Sequence, residues 1–191
     1  MKKLTIILFI AVSSAIIYSC QKWKDTTAVV DPRITARKYC NDPAAVNYNW
    51  DFPGVQDSTV CIYPVNLYEG TYSFNDSIYF EDNILDSGRI LQTYNIQLVP
   101  AGKNKLLLKG YCSNDIQFTV QRNGLKAYAD TTLKLDDTTF AYGQPLCRIL
   151  DTLTGTIIKS TNDSTKKNLF IEWRVVSDTG INYHKGTAIK L

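Results

Sequence analysis

The sequence predicts an all-β fold: an antiparallel meander closing into a small β-barrel or sandwich, preceded by a small disulfide-closed module. Three observations carry that expectation. Ile116, Phe118 and Val120 alternate with Asp115, Gln117, Thr119 and Gln121, the period of a half-buried strand. Asn123-Gly124 then turns the chain into Leu125, Ala127 and Ala129, which alternate with Lys126 and Tyr128, a hairpin signature. No stretch of ten residues has a convincing helical period.

The other strands follow the same logic. Gly70-Thr71-Tyr72 opens the domain. Ile90, Tyr94, Ile96 and Leu98 share one face, and Pro100-Ala101-Gly102 turns the chain into Leu106–Lys109. Leu153-Thr154-Gly155-Thr156-Ile157-Ile158 precedes a closing hairpin. There Leu169, Ile171, Trp173 and Val175 alternate with Glu172 and Arg174, and Ser177-Asp178-Thr179-Gly180 leads to a last strand through Ile181 and Tyr183. Eight or more short strands with polar turns predict a closed or nearly closed meander. Such a barrel either holds one ligand or is filled by its own side chains.

Ahead of this domain lies an export pattern. Lys2 and Lys3 precede the apolar run Leu4–Ile17, about fourteen residues and too short for a membrane-spanning helix, which needs about twenty. Ile17-Tyr18-Ser19-Cys20 resembles the lipobox of bacterial lipoproteins, with the bulky Tyr18 as its departure. The resemblance implies a signal peptide over 1–19, cleavage before Cys20 and a diacylglyceryl group on its thiol. Each buried methylene adds about 0.8 kcal/mol of membrane affinity. Gln21, Lys22 and Asp25 resemble the surface-export signal of some Bacteroidota lipoproteins, from which Trp23 and Lys24 depart. The implied location is the outer membrane, at the cell surface or else on the periplasmic face. Residues 20–38 read as a lipidated tether.

Loss of Lys2 and Lys3 takes the basic residues from 21 to 19, against 18 acids. A nearly neutral chain without a Lys/Arg stripe argues against nucleic acid as a partner. Setting Cys20 aside leaves Cys40, Cys61, Cys112 and Cys147, which permit three connectivities. Sequence proximity favours Cys40–Cys61 and Cys112–Cys147, and an oxidising compartment favours bridges. With no C-x-x-C spacing and one histidine, the sequence implies no metal site and no cofactor.

Residues 39–64 form the module. Cys40, Asp42, Pro43, Ala45, Asn47, Tyr48 and Asn49, with Cys61 and Tyr63, resemble a short disulfide-closed repeat of extracellular proteins in Bacteroidota and some other microbes. Asp42, Asn47, Asn49, Asp51 and Asp57 offer oxygens for calcium, but turn-forming Asx residues account for them without a metal. Residues 65–191, the antiparallel β domain, resemble the C-terminal domains of small Bacteroidota lipoproteins, some of them lipocalin-like. That resemblance implies an architecture and little chemistry.

The search for catalysis finds no Gly-rich phosphate loop and no nucleophile elbow. His184, between Tyr183 and Lys185, reads as a solvated strand end. Glu69, Glu81, Asp82 and Glu172 make a glycosidase pair only if folding brings two of them together. Asp-Ser and Asp-Thr steps recur and resemble the Bacteroidota O-glycosylation motif, with candidate acceptors Thr26, Ser58, Ser77, Thr131, Thr138, Thr152 and Ser164. Favoured turn dipeptides explain them equally. The expectation is a membrane-anchored, non-catalytic binding or interaction module, its partner a protein, a glycan or a small apolar molecule. The alternatives are a polysaccharide hydrolase using two carboxylates and a purely structural envelope lipoprotein. Twelve tyrosines make glycan stacking a consideration, although Tyr72, Tyr94 and Tyr183 suit core packing.

Overall fold

Alternation of apolar and small polar residues over Gly70–Phe80 builds the first barrel strand, β1. Tyr72, Phe74 and Ile78 are buried on one face, and Ser73, Asn75 and Ser77 take the other. The structure is a computed structural model. It describes residues 31, 35–49, 54–82, 84–86, 91–131, 133–135, 138–140, 143–148, 151–161 and 168–191. Barrel strands alone are numbered: β2 Gln92–Pro100, β3 Lys105–Lys109, β4 Ile116–Val120, β5 Lys126–Ala129, β6 Thr152–Lys159, β7 Asn168–Ser177 and β8 Gly180–Lys190.

Consecutive strands pair antiparallel from β1 to β5 and from β6 to β8. Two further pairings close the ring, β8 with β1 and β5 with β6. The result is an eight-stranded closed antiparallel barrel, which removes every sheet edge from the ring. The long link from β5 to β6 carries a small hairpin, Leu133–Leu135 with Thr138–Phe140, and a two-residue strand, Gln144–Pro145, that extends the sheet beside β6.

The interior is filled by the inward residues of every strand. Ile96, Leu98, Leu106, Leu108, Ile116, Phe118, Leu153, Ile157, Leu169, Ile171 and Trp173 are essentially inaccessible. Burying each large aliphatic or aromatic side chain contributes about 1.5–3 kcal/mol relative to exposure. Gly155 stands directly opposite Trp173 in the β6–β7 register. A methyl group there would come within 2.5 Å of Trp173 Cα and Cβ, so only glycine leaves room for the indole's strand.

Contacts divide the chain into two units: Met1–Arg37 with Pro53–Val55, and Lys38–Phe52 with Gln56–Leu191. In the second unit the disulfide module lies against one end of the barrel. Cys40 and Cys61 are bridged, with Cα atoms 4.9 Å apart. Asp42 accepts from Ala44 N–H at 2.9 Å, Tyr63 OH at 2.8 Å and Lys103 Nζ at 2.6 Å, and Lys103 belongs to the β2–β3 turn. Arg122, from the β4–β5 loop, sits over the Tyr48 ring. The 3₁₀ turn Pro64–Leu67 inserts Val65 below the core, and Lys159 donates to the Leu67 carbonyl. The module thus plugs the end where β1 begins.

Two sequence expectations shift, and a third falls outside what is described. Leu125 lies in the hairpin loop, exposed, with β5 starting at Lys126. In β8 the buried positions are His184 and Ala188, so Ile181 and Tyr183 belong to the outer face. Ile90 lies outside the described residues.

Candidate functional site

Opposite the module, the barrel carries a cavity of about 330 Å³ where β1 ends and β8 begins. Behind its wall the inward stripe of β1 is interrupted by a carboxylate, Asp76, between Phe74 and Ile78. Asp76 is completely buried. Burying a carboxylate costs several kcal/mol unless hydrogen bonds replace its water. Two groups supply them. His184 Nδ1 lies 2.7 Å from Asp76 Oδ2, and the Tyr111 hydroxyl donates to the same oxygen at 3.1 Å. Tyr111 OH also lies 3.0 Å from His184 Nδ1.

This corrects the reading of His184 as a solvated strand end. Its side chain is only 10 % exposed, because β8 pairs with β1 in a register that turns position 184 inward beside Ile78. Asp76 holds a proton on Nδ1, which leaves Nε2 as the ring nitrogen for the cavity that His184 lines.

Tyr111 comes from the loop between β3 and β4 and folds into the barrel mouth. Its ring meets Tyr94 and Trp173 with centroids 4.7 Å away in each case. Burial first, and the neighbouring Asp76 carboxylate second, push its phenol pKa far up, so it stays a neutral donor. Tyr94 donates from its hydroxyl to Gln92 Oε1.

The rim is polar. Gln92, Asn182, Ser177 and Thr179 come from strand ends and the β7–β8 turn, and Arg148 and Asp151 from the link before β6. Ile78, Leu146 and Val175 are the aliphatic part of the wall. The second bridge, Cys112–Cys147, joins the loop that carries Tyr111 to the link that carries Arg148, and Cys147 lines the cavity. Both disulfides therefore form with the pairing that proximity favours. Asp76 Oδ1, Asp151 Oδ1 and Trp173 Nε1 are buried without a hydrogen-bond partner among the described residues. Each such atom in a folded core calls for an explanation.

The other candidates lie elsewhere. None of Glu69, Glu81, Asp82 and Glu172 lines the cavity, and Glu172 pairs with Lys185 at 3.2 Å. Ser177 Oγ shares a 2.9 Å hydrogen bond with Thr179 Oγ1 and donates to Gly180 O. Asp42, Asn47 and Asp57 are taken up by turns: Asn47 braces Val60 and Ile62, and Asp57 caps the 3₁₀ turn Ser58–Val60. Among the glycosylation acceptors, Ser58 and Thr131 are exposed, and Ser77 and Thr152 are half-buried. The Thr138 side chain, Thr26, Ser164, Asp51 and Cys20 lie outside what is described.

Sequence reasoning missed the Asp76–Tyr111–His184 cluster. One signal was available: a lone Asp inside an otherwise apolar inward stripe requires a buried partner. No protein-family model matches this chain, and no curated protein matches it.

Proposed function

We propose that this chain is an exported, lipid-anchored, non-catalytic binding protein whose barrel offers a small-ligand site at the end away from the disulfide module. The observation that carries this reading is the cavity lined by Tyr111 and His184, both held by the buried Asp76 behind them. A barrel serving only as a spacer is best filled with apolar side chains, since a buried polar network is costly unless fully satisfied. A concave site with a few convergent polar groups is the ordinary form of a ligand pocket.

Export is supported by the charged, apolar and Cys20-containing N-terminus, and by two disulfides suited to an oxidising compartment. The anchor is the lipid on Cys20, and the location is the outer membrane, at the cell surface or on its periplasmic face. A binding role is favoured over hydrolysis because none of the four carboxylates weighed as a glycosidase pair lines the cavity, and the Ser177 hydroxyl bonds to Thr179 and Gly180.

A thermal-shift screen of a small-molecule library against the wild-type chain and Asn182→Trp tests the reading. A ligand at a hundred times its Kd stabilises by about 2.7 kcal/mol. The expected result is a hit that raises the wild-type Tm and leaves the cavity-filled variant unchanged. Hits that stabilise both proteins equally, or no hits, count against the cavity as the binding site.

A further inference from the structure

We propose that the cavity takes a small neutral polyhydroxylated ligand, about one or two sugar rings in size, with His184 Nε2 as the acceptor for one of its hydroxyls. This inference rests on the ligand-binding reading above and names its chemistry.

Acceptors converge on the cavity. With Nδ1 turned to the Asp76 carboxylate, Nε2 is the ring nitrogen left for the cavity, and it accepts a hydrogen bond when the ring carries one proton. The Asp151 carboxylate lines the wall, and its Oδ1 lacks a partner among the described residues. A ligand that donates hydrogen bonds answers both. Around these acceptors stand the amides of Gln92 and Asn182 and the hydroxyls of Ser177 and Thr179. These groups both donate and accept, which matches hydroxyls that do the same. An apolar ligand would desolvate the polar atoms here that protein groups do not already pair, at about 1–3 kcal/mol for each one left unpaired.

Shape and charge agree. Tyr94 and Tyr111 sit side by side, tilted by 53° with centroids 4.7 Å apart, and both line the cavity. Two angled rings offer an apolar surface to the C–H face of a sugar while its hydroxyls reach the polar groups. Arg148 and Asp151 bring opposite charges to the same rim, so the cavity favours neither an anion nor a cation. At about 330 Å³ the space is at the small end of ligand pockets, which run from about 300 to 1,000 Å³.

The test is calorimetric titration of the full chain with a panel of neutral mono- and disaccharides, alongside inorganic phosphate and a medium-chain fatty acid. Two variants accompany the wild type. His184→Asn keeps a donor near Asp76 and removes Nε2. Asp151→Asn keeps the side chain's size at a half-buried position and replaces the carboxylate acceptor by an amide. The proposal expects binding to at least one neutral saccharide, weakened about tenfold by His184→Asn, equivalent to about 1.4 kcal/mol. A several-fold loss is expected for Asp151→Asn, which decides the matter should His184→Asn not fold. Saccharide binding that both variants leave intact overturns the assignment of the recognising groups. Hits confined to the fatty acid or phosphate overturn the polyol class and leave the ligand-binding reading standing. Absence of any binding across the panel overturns the polyol class, and the library screen above then decides the broader reading separately.

Discussion

His184 Nδ1 lies 2.7 Å from Asp76 Oδ2, joining residues 108 positions apart across the seam where the last strand meets the first. The pair fastens barrel closure and shapes the cavity floor at once. Replacing Asp76 by Ala leaves the His184 N–H and the Tyr111 hydroxyl without their acceptor in a buried setting. Leaving a buried donor unpaired costs about 1–3 kcal/mol. Urea unfolding of Asp76→Ala should show a loss of about 2–3 kcal/mol. A loss under 1 kcal/mol would mean the pair is solvated.

Gly155 and Trp173 define a second close approach. Overpacking a core costs about 1–3 kcal/mol. Gly155→Ala should therefore lower stability by about 2 kcal/mol in chemical denaturation. Trp173 Cα and Cβ are the atoms approached, so Trp173→Phe, which keeps both, should give little rescue. Full rescue by Trp173→Phe would show that the crowding involves the indole ring instead.

The two disulfides brace opposite ends. In the chain-entropy model, closing separations of 21 and 35 residues contributes about 3 and about 4 kcal/mol respectively. Removing Cys112–Cys147 with a double Ala variant should raise hydrogen exchange around Tyr111 and the cavity while the module stays protected. Removing Cys40–Cys61 should do the reverse. Equal effects at both ends would contradict the division.

Alkali should unfold the barrel through its tyrosines. Burial pushes the Tyr72 pKa up to about 12, and those of Tyr68 and Tyr111 are raised as well, also chiefly by burial. The unfolded phenol ionises near 10.0, so the stability these groups contribute is whole below that pH and is lost as pH rises through about 12. At the acid end the sign reverses. Hydrogen bonds from Lys103, Ala44 and Tyr63 hold Asp42 down to about 2, so its contribution is whole above 3.8 and is lost as pH falls through 2. Tyrosinate absorbance followed with circular dichroism should show a late-titrating group that ionises together with loss of the fold. Titration of every tyrosine near pH 10 in a folded barrel would contradict this.

Intact mass of the chain purified from its native host tests the anchor and the glycans together. The expected species begins at Cys20 and carries acyl chains, with hexose-sized increments that exposed Ser58 and Thr131 account for first. Cys20→Ala should abolish the acyl mass. An unacylated wild-type chain would sink the lipoprotein reading, and a lipid-only mass the glycosylation.

The barrel was largely legible because its strands alternate. Ile116–Val120 and Asn168–Ser177 bury every second residue, and the expected disulfides form. The cavity was not, for a reason visible in β8. Its inward positions Asn182, His184, Gly186 and Ala188 are polar or small, while Ile181, Tyr183 and Ile189 face outward. Hydrophobicity alone therefore assigns the wrong face, and in a strand a shift of one residue exchanges the two faces. Tyr111 was hidden differently: it reaches the site from a loop, where no period applies.

The most direct test of the account is ¹⁵N NMR of the imidazole, made unambiguous because the chain has one histidine. At a pH where the ring is neutral, the account predicts a single tautomer, Nδ1 protonated and Nε2 bare, with the Nε2 resonance moving on addition of a saturating neutral saccharide. A mixture of tautomers with shifts typical of a solvated histidine, unchanged by any ligand, would contradict it.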